Sequence, residues 1–333
     1  MKITFTKRAA LALTAVGLSL ALGACSGGGA PPEQGGGNTG GEVADTERLT
    51  VAMITHEAPG DSFWDKIRSG AQVAAKKDNI DLKYSSDPQS DRQAVLIQNA
   101  IDSKVDGIAV TLANPDALKG PVQAARQAGI PVVSFNSGSE QYADVGSLMH
   151  FGSDESLAGE TVGKRIAAEG GQHVLCVIME AGQIALEQRC AGVKKGVANT
   201  ENIQVTGTDI SSVTSSIQSK LQQDDSIDWV VTLGAPFAMA ALQSIDGVGR
   251  ADSVKLATFD LNADATKAIQ DGKIEFSVDQ QPYLQGYLAV DSLWLYSTNR
   301  NDIGGGTPVL TGPSLVDETN IEAIAAFAAK GTR

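Results

Sequence analysis

The sequence has few cysteines, few histidines and few aromatic residues, and most of its charge is of one sign. Three cysteines in 333 residues are too few for a domain held together by disulfides. The three histidines are far apart and lack the spacing of metal ligands, so we expect no metal site. Acidic residues outnumber basic ones by 39 to 26. This surplus argues against nucleic acid as a partner, because phosphate binding requires a basic surface.

Long apolar runs are also scarce, and the longest lies near the N-terminus. Residues 9–22 are apolar and follow three basic residues, which is typical of a secretory signal peptide and too short for a membrane span. Residues 22–25 read Leu-Gly-Ala-Cys, small residues before a cysteine as in bacterial lipoproteins. We expect a signal peptide at 1–24 and a lipid on Cys25. The alternative is an ordinary secretory signal cleaved near Ala24.

The segment after the expected anchor has the composition of a tether. Residues 26–41 read SGGGAPPEQGGGNTGG, which is typical of flexible coil. We assign residues 25–47 to the lipidated cysteine and its tether. The protein is then expected on the extracytoplasmic face of the cell membrane, held there by lipid.

The rest of the chain alternates predicted strands and helices with short loops. This order predicts an α/β fold of two doubly wound, Rossmann-like domains, each with a parallel sheet covered by helices. Ligands bind outside the carboxyl ends of such strands, so two facing edges would form a cleft. The predicted strands are 49–54, 81–84, 107–111, 131–135, 173–179, 203–208, 228–233, 254–259 and 275–279.

No signature of catalysis accompanies this fold. The serine elbow G-x-S-x-G, the phosphate loop G-x-x-x-x-G-K-[ST] and the zinc motif H-E-x-x-H are all absent from the sequence. Histidines that could act as a general base are few. We therefore expect no enzymatic activity and no cofactor.

Two cysteines remain after the expected anchor. Cys176 lies in a predicted strand and Cys190 in the helix that follows it. A helix folding back on its preceding strand brings such residues within bridging distance, and export permits a disulfide. We favour a disulfide between them, and two small buried thiols are the alternative.

Four segments lie where strands end or helices begin. They read Asp-Ser-Phe-Trp at 61–64, Val-Ser-Phe-Asn at 133–136, Thr-Phe-Asp at 258–260 and Asp-Gln-Gln-Pro-Tyr-Leu-Gln-Gly-Tyr at 279–287. In order and spacing they resemble the periplasmic sugar-binding proteins of ABC transporters, of the ribose- and galactose-binding type. The resemblance runs from residue 49 to the C-terminus. It implies the type I periplasmic binding protein fold, in which two domains are joined by three crossovers.

The resemblance also implies how the chain divides. The N-terminal domain would consist of residues 49–150 plus 281–308, and the C-terminal domain of residues 151–280 plus 309–333. The crossovers are expected near residues 150–152, 278–281 and 309–313.

The resemblance implies a sugar site between the domains. Phe63 and Trp64 match aromatic residues that stack on the apolar face of a sugar ring, although the spacing of Phe63 also suits the core. Asp61 matches a residue that hydrogen-bonds hydroxyl groups, with a helix cap as the alternative. Asn136 matches a ligand contact, with a turn residue as the alternative. The family has an aspartate followed by an arginine where this chain has Asn136 and Ser137.

Three further residues complete the implied site. Arg189 matches an arginine that donates to sugar hydroxyls, Asp260 a carboxylate that accepts from them, and Gln280 a glutamine at a crossover. The alternatives are a solvated helix charge, a helix cap and a hinge residue. Weaker candidates for ligand contact are His56, Glu57, Gln183 and Asn262.

The implied function is to capture a monosaccharide or polyol between closing domains and to deliver it, as a monomer, to an ABC permease. Gly234 and Ala235 stand where ribose-type proteins have an asparagine, so the ligand is not expected to be ribose bound in the usual way. One alternative is a receptor for a nucleoside or a signalling furanone. Another is a lipid-anchored enzyme that acts on sugars through Asp61 and Asp260.

Overall fold

Strands and helices alternate through residues 43–333, the part of the chain that the computed structural model describes. The predicted signal peptide, Cys25 and most of the tether lie outside these residues. Among the helices described, none is long and apolar enough to cross a membrane.

The first lobe holds the N-terminal elements. They are β1 (Leu49–Thr55), α1 (Phe63–Lys77), β2 (Ile80–Ser86), α2 (Ser90–Asp102), β3 (Gly107–Thr111), α3 (Pro115–Gln127), β4 (Val132–Asn136), α4 (Tyr142–Val145) and β5 (His150–Ser153). The chain later returns to this lobe through α10 (Pro282–Asn299) and β11 (Val309–Gly312).

The second lobe holds the elements between these two passages and the C-terminal end. They are α5 (Glu155–Ala168), β6 (Val174–Ile178), α6 (Ile184–Gly196), β7 (Thr200–Gln204), α7 (Ile210–Gln223), β8 (Trp229–Thr232), α8 (Ala235–Gly247), β9 (Lys255–Phe259), α9 (Ala263–Gln270), β10 (Phe276–Asp279), β12 (Ser314–Asp317) and α11 (Ile321–Ala329).

Each lobe is built on one six-stranded sheet, and the two sheets have corresponding topologies. The strand orders are β11-β5-β4-β3-β1-β2 and β12-β10-β9-β8-β6-β7. All neighbours pair in parallel except β10 and β12, which are antiparallel. Apolar clusters cover both faces of each sheet, so central strands such as β3 and β6 are buried throughout. The predicted α/β class with two doubly wound domains is confirmed.

The chain passes three times from one sheet to the other. The passages lie between β5 and α5, between β10 and α10, and between β11 and β12. The last of them corrects the predicted division of the chain, because Val309–Gly312 pairs with β5 in the first sheet instead of belonging to the second. This strand is only four residues long and has a single buried residue, so its local pattern did not show which sheet it would join.

The edge strand β7 also differs from its prediction. It spans Thr200–Gln204 rather than residues 203–208. Its sequence, TENIQ, has one apolar residue, because an edge strand in this sheet leaves alternate side chains partly in solvent. The more apolar residues around Val205 shifted the prediction toward the C-terminus.

Helix α6 lies close to both of its neighbours. A disulfide joins Cys190 of α6 to Cys176 of β6, with the two Cα atoms 5.9 Å apart. On the other side, a Cβ atom on Gly159 of α5 would collide with the backbone carbonyl of Arg189 in α6. Only glycine permits this approach of two helix backbones. One cross-link and one close helix contact therefore position the segment that carries Arg189.

Candidate ligand-binding cleft

A cavity lies between the two lobes, where the carboxyl ends of their parallel strands face each other. The space free of protein atoms between its lining residues is about 590 Å³, part of which is open to solvent. Asn136 is the last residue of β4, and Asp260 and Gln280 directly follow β9 and β10. Ten of the eleven residues singled out for ligand contact line this cavity: His56, Asp61, Phe63, Trp64, Asn136, Gln183, Arg189, Asp260, Asn262 and Gln280.

The start of α1 forms one wall of the cavity. The Trp64 ring stands edge-on to Phe63, with centroids 5.2 Å apart, and to His56, at 4.8 Å. Trp64 is buried in the core of the first lobe, so its ring serves both the core and the wall. The carboxylate of Asp61 accepts a hydrogen bond of 3.0 Å from the backbone N–H of Phe63. Burial raises the pKa of Asp61.

A hydrogen-bonded chain crosses the floor of the cavity. Gln280 donates from Nε2 to Asp260 Oδ1 at 2.8 Å, and its Oε1 accepts from Asn136 Nδ2 at 3.1 Å. Asn136 belongs to the first lobe and Asp260 to the second. Burial raises the pKa of Asp260 to about 7. Gln280 therefore connects the strand ends of both lobes and lines the cavity at the same time.

Arg189 is buried rather than solvated. Its Nε and Nη2 donate to the two carboxylate oxygens of Glu155 at 2.5 and 2.9 Å, and Nη1 donates to the carbonyl of Leu233 at 3.2 Å. The guanidinium lies over the Phe259 ring, 4.5 Å from its centroid. The alternative of a solvated helix charge is wrong, since only 3% of Arg189 is exposed.

The lobes touch at the mouth of the cavity. Gln183 Nε2 lies 3.3 Å from His56 Nε2 and 3.2 Å from Ser137 Oγ. The backbone N–H of Ile184 donates to the carbonyl of Ala113 at 3.2 Å. Gln183 and Ile184 belong to the second lobe, and their partners belong to the first. The described residues therefore form a closed arrangement of the two lobes.

His56 is fully enclosed by these contacts. Its Nδ1 lies 2.7 Å from Thr111 Oγ1, and burial lowers the pKa of the imidazole to about 3. The neighbouring Glu57, a weaker candidate, is absent from the cavity lining. It instead accepts hydrogen bonds of 2.5 Å from Arg68 and Tyr84. Glu57 therefore braces β2 against α1.

Two of the weaker candidates also cap helices. Gln183 Oε1 accepts from the backbone N–H of Leu186 at 3.0 Å, at the start of α6. Asn262 Oδ1 accepts from the backbone N–H of Ala265 at 2.7 Å, at the start of α9. Each side chain thus lines the cavity while one of its oxygens is used by a helix terminus.

Sequence reasoning missed two charged residues of the cavity, Lys66 and Glu180. Lys66 lies three residues after Phe63 on α1, and this spacing puts both on one helix face. Glu180 follows β6, at the carboxyl end of a parallel strand. Burial, and then the charge of Asp61, raise the pKa of Glu180 to about 7. Helical spacing and the strand-end rule were the signals that could have found them.

A second group of titratable side chains lies away from the cavity. Ligand-type atoms of His173, Glu201 and Asp224 lie within 4.8 Å of one another, although the sequence spacing gave no sign of a cluster. Ser226 Oγ lies 2.7 Å from His173 Nδ1, and Lys220 Nζ lies 2.9 Å from Glu201 Oε1. Hydrogen bonds and ion pairs within the protein account for this grouping.

Comparison with known proteins gives the same fold and a family. The sequence profile of the periplasmic binding protein domain matches residues 51–301. The xylose/arabinose-binding protein XylF of Sulfolobus acidocaldarius is 26% identical over 322 residues, which cover 90% of this chain and 78% of that protein. The ribose import binding protein RbsB of Salmonella typhimurium is 27% identical over 248 residues, 72% of this chain and 80% of its own.

Solved structures agree with these relatives. A carbohydrate transporter from Acidothermus cellulolyticus, in complex with myo-inositol, is 52% identical with a TM-score of 0.85, and the match covers 86% of this chain and 100% of that one. A solute-binding protein from Burkholderia graminis, in complex with D-arabinose, is 25% identical with a TM-score of 0.74, over 82% and 96% of the two chains. Two lobes, three passages, a cleft at the strand ends and a profile match over most of its length show that the chain belongs to the periplasmic binding protein family.

Proposed function

We propose that the protein is an extracytoplasmic solute-binding protein of an ABC transporter, and that it binds a monosaccharide or a cyclic polyol between its lobes. The proposal is carried by one cavity that both lobes line with polar side chains and an aromatic wall. Two similar structures are complexes with myo-inositol and D-arabinose. The inositol complex shares 52% of its sequence with this chain, so myo-inositol is the first ligand to test.

The polar side chains of the cavity suit hydroxyl groups, which donate and accept at once. Asp61 and Asp260 supply acceptors, Arg189 supplies donors, and the amides of Asn136 and Gln280 supply both. A buried polar group gains most when each of its hydrogen-bonding positions is filled. We assign these five residues to ligand contact, with additional contacts from His56, Gln183 and Asn262.

The apolar part of the cavity suits the C–H face of a ring. Phe63 and Trp64 form the aromatic wall, and Phe237 lines the cavity from the second lobe. The C–H groups of a pyranose or a cyclohexane polyol are apolar and stack on such rings. Gly234 and Ala235 line the cavity as well, and their small size leaves room for a six-membered ring.

The charges around the cavity favour a neutral ligand. The guanidinium of Arg189 is already paired with Glu155. The other charged residues in the lining are Lys66 and the acidic residues Asp61, Glu180 and Asp260. An anionic ligand would add to this crowding of negative charge. We therefore expect sugar acids and sugar phosphates to bind much more weakly than neutral polyols.

The proposed mechanism is binding without chemistry. The two carboxylates that a sugar-acting enzyme would need are held in the protein by hydrogen bonds, Asp61 to the backbone of Phe63 and Asp260 to Gln280. Contacts from both lobes stabilise the closed form, which then docks on the permease. Incubation with the ligand should leave it intact, as judged by mass spectrometry of the recovered small molecule.

The membrane attachment is a further part of the proposal. Residues 1–24 would be removed and Cys25 lipidated, which holds the protein at the extracytoplasmic face of the cell membrane. In the native host, the wild type should then appear in the membrane fraction with the added mass of lipid, and Cys25→Ser should be released. A protein cleaved near Ala24 and free of lipid would contradict this part.

A thermal-shift screen of residues 41–333, the compact unit that contains both cores, tests the ligand class. The protein is unfolded, dialysed and refolded to remove bound ligand, then mixed with inositols, pentoses, hexoses, linear polyols and nucleosides. A ligand at 100 times its Kd adds about 2.7 kcal/mol to the free energy of unfolding. That corresponds to a rise in Tm of roughly 5–10 °C for a protein of this size. No shift with any neutral sugar or polyol, or a shift with nucleosides alone, would contradict the proposal.

A further inference from the structure

Lys66 differs from the other charged residues of the cavity. It lies on α1, one turn after Phe63, and lines the cavity although only 7% of it is exposed. Among residues 43–333, its ammonium forms no ion pair and no hydrogen bond. Arg189, which is equally buried, has Glu155 and a backbone carbonyl as partners.

Most of the Lys66 side chain is buried, and the residue lines the cavity. A charged group that is largely withdrawn from water is stabilised by acceptors that can receive its hydrogen bonds. Lysine carries three donors and no acceptor. Within residues 43–333 no side chain or carbonyl accepts from Lys66, and the open space beside it is the cavity. The missing acceptor is therefore one that a ligand brings.

The charge of Lys66 acts on both sides of the cavity. It favours the ionised forms of Asp61, in the first lobe, and of Asp260, in the second, and opposes the effect of burial on both pKa values. Lys66 therefore lies near acceptors for hydroxyl hydrogens. A hydroxyl bound here can accept from the ammonium and donate to a carboxylate.

The helix that carries Lys66 is rigidly placed. A Cβ atom on Gly70, one turn further on, would collide with the carbonyl of Tyr283 in α10. A Cβ atom on Gly286 of α10 would likewise collide with the carbonyl of Ile67. The two glycines let α1 and α10 pack backbone to backbone, which fixes Lys66 against the cavity.

We propose that Lys66 determines specificity by donating a hydrogen bond from its ammonium to one ring hydroxyl of the ligand, whose own hydrogen is accepted by Asp260. This inference rests on the proposed function and adds a residue to it. It predicts that the site selects polyols with a hydroxyl at one particular ring position. Analogues that lack this hydroxyl would leave the ammonium unpartnered.

The test compares Lys66→Met with the wild type by titration calorimetry with myo-inositol and with its monodeoxy analogues. Methionine keeps the length of the side chain and removes the charge. Lys76→Met is the matched control, since Lys76 is exposed on the same helix. We expect Lys66→Met to weaken myo-inositol binding by roughly 10–100-fold, the range for a hydrogen bond to a charged group, and Lys76→Met to leave it unchanged.

The deoxy analogues separate direct contact from a structural role. If Lys66 donates to one hydroxyl, the analogue that lacks this hydroxyl cannot form the hydrogen bond with either protein. It should therefore bind the wild type and Lys66→Met with similar affinity, as in a double-mutant cycle. The ligand-free Tm of Lys66→Met should equal or exceed that of the wild type, because an unpartnered charge has been removed. Lys66→Gln provides a second variant.

Either of two results would overturn the inference. One is that both Lys66 variants bind myo-inositol as the wild type does. The other is that, for every deoxy analogue, the loss of affinity relative to myo-inositol is the same in the Lys66 variants as in the wild type. A wild type that binds no inositol and no sugar would instead overturn the proposed function, and this inference with it.

Discussion

Asn136 and Asp260 occupy equivalent positions in the two lobes. Each stands at the end of the third strand of its sheet, β4 and β9, and each has a φ of 65°. A left-handed backbone costs a residue with a Cβ atom about 1–2 kcal/mol, less for Asn and Asp. Gln280 binds both side chains. The two lobes thus present matching polar groups at the cavity in backbone conformations typical of functional sites.

Replacing Asp260 with asparagine should weaken ligand binding and relieve the folded protein of a buried acid. Asparagine keeps the shape, accepts from Gln280 and suits the left-handed backbone. It lacks the negative charge that accepts strongly from hydroxyl groups, so the affinity for myo-inositol should fall by roughly 10–100-fold. Calorimetry on Asp260→Asn measures this loss, and unchanged affinity would contradict the role of Asp260.

The same variant should change how stability depends on pH. The folded-state pKa of Asp260 is raised from 3.8 to about 7. Stability from this group is therefore fully present below the unfolded pKa and is lost as pH rises toward the folded value, by at most about 1.4 kcal/mol per pH unit. As the pH rises from about 4 to about 7, the free energy of unfolding of Asp260→Asn should therefore increase relative to that of the wild type, as measured by urea unfolding. A pH-independent difference would contradict the buried ionisation.

Breaking the pair of Glu155 and Arg189 should cost far more than breaking an exposed pair on the same helix. Glu155→Gln leaves a buried guanidinium without its counter-charge, which typically costs about 3–5 kcal/mol, and ligand affinity should fall with it. Glu160→Gln on α5 removes exposed pairs to Lys164 and Lys195 and should cost at most about 1 kcal/mol. If Glu155→Gln and Glu160→Gln lowered the free energy of unfolding equally in urea, the contact between Glu155 and Arg189 would not be what holds Arg189 in place.

Two glycine substitutions should have effects of opposite sign. Gly159→Ala puts a Cβ atom against the carbonyl of Arg189, and the strain should destabilise the protein by about 1–3 kcal/mol and weaken ligand binding. Gly120→Ala on α3 meets open space and should stabilise it by about 0.5–1 kcal/mol. Thermal unfolding of the two variants checks both. A neutral Gly159→Ala would mean that α5 and α6 separate at little cost.

Burial of His56 should lower the free energy of unfolding as the pH falls below the ordinary histidine pKa. Its folded-state pKa is lowered by burial from 6.5 to about 3. The stability it contributes is therefore present above the unfolded pKa and is lost as pH falls toward the folded value, by up to about 1.4 kcal/mol per pH unit. His56→Gln loses hydrogen bonds but has no proton to bind, so its stability should approach that of the wild type on acidification. Parallel curves in urea unfolding from about pH 7 to pH 4 would contradict this account.

Much of the site was predictable from where strands end. Asn136, Asp260 and Gln280 lie at the ends of apolar runs predicted as strands, and the carboxyl ends of parallel strands meet at one edge. The family resemblance implied their contact with the ligand. The adjacent aromatic residues at the start of α1, together with the family resemblance, predicted the aromatic wall of the cavity.

The rest depended on packing between distant segments. Lys66 shares a helix face with Phe63, but its burial depends on how α1 packs against α10, which the sequence of α1 alone does not show. The partner of Arg189, Glu155, comes from another helix, and no local pattern connects the two. The strand β11 joined the first sheet because of pairing with β5, which four residues of sequence cannot specify.

Titration calorimetry of ligand-free protein with myo-inositol tests the central claim most directly. The wild type and Asp260→Asn would be measured side by side, with Gly120→Ala as a control outside the cavity. The account predicts one saturable site per chain, lost or strongly weakened in Asp260→Asn and unchanged in Gly120→Ala. No binding by the wild type of this or any neutral sugar or polyol, or equal binding by Asp260→Asn, would contradict it.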